Sequence, residues 1–337
     1  MNSTHHTVAI QQVHSILQGA RHRGLDVAPV LARAGIAPAL LDSPLARISQ
    51  GQYALLIRVL RRALRDESWG LLSRPVPPGS FGQCMRQLVR CATLHEALRG
   101  GFAFYHLLVD DFTPRLAVRE GIAQVQFVPR SAPDARLDYA IKAFMLFSFN
   151  AASWLVARRI PLLGVEYTSS MSTDISRVYQ VPVRHGQPHI GLSFEARWLE
   201  LPVVQSPQSL REFLAGSPAN LIVKYRDTSS LTERIRRLLR KGLGGELPSL
   251  EEVSEALAVT PQTLRRRLRD EGRGFQQIKD ELRRDAAIEF LLHTQLPLLE
   301  IGNRVGFSEA STFHRAFKQW TGVAPGEYRH VHGTAER

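Results

Sequence analysis

SLEEVSEALAVTPQTLRRRLRDEG at residues 249–272 and IGNRVGFSEASTFHRAFKQWTGVAPGEYR at residues 301–329 carry one pattern twice. Val253, Leu257, Val259 and Thr260 recur 48 positions later as Ile301, Val305, Phe307 and Ser308. After a one-residue insertion, Leu264, Arg266 and Leu268 recur 49 positions later as Phe313, Arg315 and Phe317. Each copy reads as a short helix, a tight turn, a hydroxyl cap and a second helix, which is the layout of a helix-turn-helix. Ser249 and Glu252 have the spacing of a capping box, in which the hydroxyl and the carboxylate each accept a backbone N–H that the helix leaves unpaired. Thr260 before Pro261 sets an acceptor at the cap and a residue without an N–H where none is needed. Ser308, after Gly306 and Phe307, is expected to cap the second copy in the same way.

The second helix of each copy has two faces. Leu264 and Leu268, four apart, point inward and leave Gln262, Arg265, Arg266 and Arg269 outward; Phe313, Phe317 and Trp320 leave Ser311, His314, Arg315 and Lys318 outward. Both outward faces hold donors for base edges and phosphates. A single such helix is more often a solvated basic face; two, each in a complete cap-turn-helix setting, favour duplex DNA. Between the copies, Phe275 to His293 keeps helical periodicity over a length of about 28 Å. Successive major grooves on one side of B-DNA are about 34 Å apart. A rigid helix of this length holds the two recognition helices for adjacent grooves.

These stretches, with GFQQIKDELRRDAAIEFLLHT at 274–294 between them, resemble the AraC/XylS family of bacterial regulators. The Gly-Phe-Ser, Phe-x-Arg-x-Phe-Lys and Pro-x-x-Tyr-Arg elements carry the resemblance. It implies an all-α domain over 229–337 with two helix-turn-helix units joined by a long helix. It also implies base contacts from Gln262, Arg265 and Arg266 in the first unit and from Ala310, Ser311, Thr312, His314 and Arg315 in the second. Gly302 departs from the alanine usual in the family, and glycine costs about 1 kcal/mol relative to alanine inside a helix.

Outward from this region, 337 residues exceed what one core usually organises, and 1–228 reads as a separate α+β domain. Helical periodicity runs through Val8–Ala20, Gln52–Leu64, Cys84–Leu98 and Leu137–Val156. Residues 115–120 and 123–128 alternate like a hairpin closed at Glu120-Gly121, and 163–168 and 190–194 read as short strands. Net charge is +12, yet 229–337 carries 18 Lys+Arg against 15 Asp+Glu, so gross charge does not single out the DNA-binding part. Residues 25–214 resemble the α+β sensor domain of one AraC subgroup rather than a cupin barrel, which implies binding of an unknown small-molecule effector, homodimerisation, or both.

Cys84 and Cys91 are too few for a disulfide framework. With Leu88 and His95 they mark one helical face, read as core in preference to a metal or redox site, and His330 and His332 read as a solvated tail. Phe102, Phe104 and Tyr105, with Phe144, Phe147, Phe149 and Trp154, suit either ordinary core or the wall of an apolar pocket. No nucleophile elbow, phosphate loop or zinc-helix motif is present, so neither catalysis nor a cofactor or metal is expected. No segment looks like a signal peptide or membrane span, and a cytoplasmic location is expected. The resulting expectation is a transcription regulator, inclined to activation, with promoter DNA and RNA polymerase as partners. An effector-independent DNA binder and an enzyme fused to a DNA-binding tail are the alternatives.

Overall fold

The structure is a computed structural model that describes residues 7–132, 134–168, 181–215, 231–245, 247–270 and 274–332. Its first elements are β1 (Thr7–Ala9), α1 (Ile10–His22), α2 (Ala28–Arg33), β2 (Arg47–Ser49), α3 (Gln50–Leu64), α4 (Ser80–Leu88) and α5 (Leu94–His106). The periodicity over 84–98 predicts one helix, and the structure has two. Thr93 is the N-cap of α5: its Oγ1 accepts from Glu96 N–H at 3.3 Å, and Glu96 Oε2 accepts from Ala92 N–H at 2.9 Å. This threonine-to-glutamate cap starts a new helix, so Cys91 falls in the turn after α4, half-buried and packed against the core that holds Cys84 and Leu88, as the core reading expects.

The middle of the chain is β3 (Phe112–Arg119), β4 (Ile122–Pro129), α6 (Ala135–Leu155), β5 (Leu162–Glu166), β6 (Val183–Arg184), β7 (Ile190–Glu195) and α7 (Pro207–Ala215). The expected hairpin is present, with Arg119 opposite Ile122 and both turn residues, Glu120 and Gly121, at positive φ. The five strands run in the order β3-β4-β7-β5-β6, antiparallel except for β5 and β6. Ala123, Val125 and Phe127 alternate inward along β4, and Phe127 meets Phe102 of α5 and Phe144 of α6, so these helices cover one sheet face.

Helices α8 (Leu231–Lys241), α9 (Leu250–Ala256), α10 (Pro261–Asp270), α11 (Phe275–His293), α12 (Leu298–Arg304), α13 (Ala310–Thr321) and α14 (Pro325–His332) complete the chain. Two compact units emerge, one from the described residues of 15–27 and 57–226, the other from those of 1–14, 28–56 and 227–337. Within the second, Thr7 Oγ1 donates to Asp285 of α11 at 2.6 Å, and the Tyr328 hydroxyl of α14 donates to the Arg47 carbonyl of β2. Residues 28–56, which chain continuity alone assigns with 1–228, thus pack with the C-terminal helices. The boundary expected near Thr228 lies outside the described residues.

Candidate nucleic-acid interface

The two helix-turn-helix units are α9 with α10 and α12 with α13. In the first, Ser249 N–H donates to Glu252 Oε2 at 2.7 Å and Glu252 N–H to Ser249 Oγ at 3.1 Å, completing the capping box. Thr260 Oγ1 accepts from Thr263 N–H at 3.2 Å and opens α10 as expected. In the second unit the cap of α13 is Glu309, without a side-chain hydrogen bond, and not Ser308. The inserted residue explains the shift. The buried anchor fixes the helix start four residues before it, at 260 ahead of Leu264 and at 309 ahead of Phe313.

The first unit closes on an aliphatic core of Val253, Leu264 and Leu268 with Ile235 and Leu239 of α8 and Ile278 and Leu282 of α11. The second closes on aromatics: Phe313 lies 5.8 Å from both Phe307 and Phe317, and Phe317 meets Tyr328 edge-on at 5.3 Å. Gly302 sits under this stack, where a Cβ would come within 3.3 Å of Phe313.

Helix α11 fastens both units through charged side chains. Glu281 pairs with the buried Arg236 of α8, and Lys279 donates to the Leu247 carbonyl at 3.2 Å. Further along, Arg283 donates to the carbonyls of Val305 and Gly306 at 3.2 and 3.0 Å, and its guanidinium lies 4.8 Å over the Phe307 ring. Burial lowers the pKa of this guanidinium, with Asp280 opposing the shift. These anchoring roles of Arg236 and Arg283 escaped the sequence reading, because nothing local distinguishes a buried arginine on an amphipathic helix from a solvated one.

On α10, Gln262, Arg265, Arg266 and Arg269 are all exposed, and so is Arg267, which the sequence reading passed over although it lies inside the arginine triplet. Arg265 stands 3.7 Å from the Glu251 carboxylate with both side chains well exposed, a weak constraint in water. On α13, Ser311, Thr312, Arg315 and Lys318 are exposed, while Ala310 and His314 are half-buried, the histidine edge-on to Phe313. Arg266, Arg269, Arg315 and Lys318 make no ion pair among the described residues. Because α10 and α13 share one register, Arg266 and Arg315 stand at the same angle on their helices, opposite the buried pair Leu264 and Leu268 or Phe313 and Phe317.

Comparison with known proteins agrees with this layout. The model of the arabinose-binding domain of the AraC transcription regulator matches residues 24–203, and a helix-turn-helix domain model matches residues 253–330. The chain belongs to the AraC family: it is a DNA-binding transcriptional regulator with an α+β N-terminal ligand-binding domain and a helical C-terminal region. It is 26% identical over 333 residues to the ornithine utilization regulator of Pseudomonas aeruginosa, covering 98% of each chain. It is 31% identical over 201 residues to the transcriptional regulator VqsM of the same species, covering 58% of this chain and 61% of VqsM. Among solved structures, the regulator CdpR from Pseudomonas aeruginosa matches 96% of this chain and 98% of its own at 20% identity, with a TM-score of 0.29. No helix among the described residues is long and apolar enough to cross a membrane.

Proposed function

We propose that the chain binds promoter DNA in the bacterial cytoplasm by setting α10 and α13 into two adjacent major grooves. Gln262, Arg265 and Arg266 then reach base edges in one half of the site, and Ala310, Ser311, Thr312, His314 and Arg315 line the other. Arg269 and Lys318, one turn further along each helix, reach phosphates. A small-molecule effector acts through the N-terminal domain, homodimerisation runs through the same domain, and the outcome is activation by contact with RNA polymerase. A regulator of this kind catalyses no reaction on its effector.

The observation that carries this reading is the equivalent outward position of Arg266 and Arg315, both without ion-pair partners among the described residues, in two units that each contact one connecting helix, through the Leu264–Ile278 core and through Arg283 at the second turn. Arginine reads guanine through two parallel hydrogen bonds, and losing such a pair costs about 1–3 kcal/mol of discrimination. Binding-site selection with the full chain tests it. Arg266→Ala and Arg315→Ala are each expected to relax base preference at one position, the two positions lying roughly ten base pairs apart. Relaxation at one shared position refutes the two-groove geometry.

A further inference from the structure

A cavity of about 150 Å³ lies inside the unit that holds the five-stranded sheet, between α4, α5, α6 and the loop after α3. Its origin is legible in α6, which presents Ala140, Ala143 and Ala151 to the interior where larger side chains would fill the space. The wall opposite is preformed. Buried Asp66 accepts the N–H groups of Ser68, Gly70 and Val76 at 2.7–2.8 Å and so fixes the loop that carries Trp69, Leu71 and Leu72 to the cavity. Aromatic rings share the remaining lining with aliphatic side chains such as Leu88, Leu98 and Leu155: Phe144 meets Tyr105 edge-on at 4.8 Å and Phe112 at 5.2 Å, and Phe147 tilts against Trp69 at 5.8 Å. Phe104, Phe149 and Trp154, read from sequence alongside these, are not in the lining, and Trp154 stacks on Phe213.

Two uncharged polar side chains in the lining are unpartnered in hydrogen bonding among the described residues. Tyr105 and Ser148 line the cavity, and neither hydroxyl has a hydrogen-bond partner among the described residues. An unpaired hydroxyl inside an apolar site costs free energy that a ligand's polar atom recovers. The charged groups at the cavity are already committed: Glu67 accepts from the N–H groups of Gly79 and Phe81 at 2.7 and 2.8 Å and stands 3.9 Å from Arg61. Cys84 adds no charge either, since burial pushes its thiol up to about 12. An ionic ligand would therefore lose its hydration without gaining a free counter-charge.

We propose that this cavity is a binding site for a small, neutral aromatic molecule bearing one hydroxyl or carbonyl group, which Tyr105 and Ser148 hold by hydrogen bonds. A cavity of this volume with apolar walls accepts a benzene-sized ring, and the edge-on aromatic lining suits such a ring's faces and edges. The site deepens the reading of the N-terminal domain as effector-binding and rests on that reading for its regulatory consequence.

Calorimetric titration of the full chain with 4-methylphenol, toluene and benzoate tests the proposal. 4-Methylphenol stays neutral at pH 7, as a tyrosine side chain does. It is expected to bind, with toluene roughly five- to tenfold weaker for want of one hydrogen bond and benzoate showing no saturable binding. Tyr105→Phe combined with Ser148→Ala is expected to bring 4-methylphenol down to the level of toluene while leaving toluene unchanged. Ala143→Phe fills the space and is expected to abolish both. Benzoate binding as tightly as 4-methylphenol overturns the neutral class, and 4-methylphenol binding that survives Ala143→Phe, or no binding by the unaltered chain, overturns the site. Promoter affinity measured with and without 4-methylphenol separates the two claims. Binding that meets every expectation but leaves promoter affinity unchanged supports the site and refutes its role in effector control.

Discussion

The first and second helix-turn-helix units share a backbone plan and almost no packing chemistry. Leu264 and Leu268 close the first over Val253, whereas Phe313 and Phe317 close the second over Ile301 and Gly302. Where the first has Ser254, whose hydroxyl donates to the Leu250 carbonyl at 2.7 Å, the second has Gly302, because the larger Phe313 takes up the room. The turn repeats this difference in size. Gly306 adopts φ +84° in the second unit, and Ala258 holds the corresponding place in the first at φ +53°. Helix starts differ too, with hydroxyl caps at Ser249 and Thr260 against unassisted starts at Pro297 and Glu309. What both units keep is the spacing of buried anchors and the angle of Arg266 and Arg315. The plan therefore tolerates exchange of volume between facing positions but not a change of register.

The sharpest way to break the comparison is to remove the charged anchors on α11 and α8. Arg236→Met removes the buried guanidinium that pairs with Glu281 and is expected to cost about 3 kcal/mol, the low end for breaking a buried pair because Glu281 keeps other contacts, read as faster amide hydrogen exchange in α9 and α10. Arg283→Met frees two neutral carbonyls and the exposed Asp280 carboxylate 4.0 Å away, and is expected to cost about 1–3 kcal/mol, read in α12 and α13. Equal loosening of all four helices by either variant would show that the units do not respond separately.

The turns come next. Gly306→Ala puts a Cβ into the left-handed region, within 3.4 Å of the Gly245 carbonyl and Leu247, and is expected to cost about 1–2 kcal/mol. Ala258→Gly relieves the same strain but enlarges unfolded-state freedom, so its thermal midpoint is expected to reflect a net change within about 1 kcal/mol. A larger loss at Ala258 than at Gly306 would mean that the two turns are not equivalent.

The caps predict a difference in acid. The Ser249 N–H and hydroxyl hold the Glu252 carboxyl below its ordinary 4.5. This contribution is present above about pH 4.5, the unfolded value, and is lost as pH falls through the lowered folded value. Protection factors in α9, taken relative to the intrinsic exchange rate at each pH, should accordingly fall on acidification, and Glu252→Gln should remove that dependence. Ser249→Ala is expected to cost about 1 kcal/mol at neutral pH.

The smallest effect is expected at Gly302. Alanine there gains about 1 kcal/mol of helix propensity and meets Phe313 at 3.3 Å, so Gly302→Ala alone should lie near zero. Paired with Phe313→Leu, which copies the first unit, the same alanine should be favourable relative to Phe313→Leu alone. A double-mutant cycle that shows no coupling would sink the account of Gly302 as room made for Phe313.

Local chemistry made the DNA-binding region legible. Capping residues, a four-residue spacing of buried anchors and arginines opposite them are all properties of one helix and its ends, so the start of α10, the range of α11 and the outward position of Arg266 and Arg315 follow from local pattern. The same reading missed the break before α5, where the Thr93–Glu96 cap outweighs a continuous apolar stripe, and misplaced the cap of α13 by the one inserted residue. The cavity was half legible: the sequence marks Tyr105, Phe144 and Phe147 as an apolar group but not Ala140 and Ala143, whose importance lies in what they leave unfilled.

The sequence by itself determined that two capped helix pairs repeat at the C-terminal end, which faces of α10 and α13 are basic, and that an α+β part precedes them. Each of these depends on neighbours within a few residues of one another. Only the tertiary structure decided that residues 28–56 join the C-terminal helices, that Arg236 and Arg283 brace the two units, and that Tyr105 and Ser148 face one cavity. Those facts turn on contacts between residues distant in the chain, where burial and the pairing of hydrogen bonds are set by the packed whole and leave no periodic trace in the sequence.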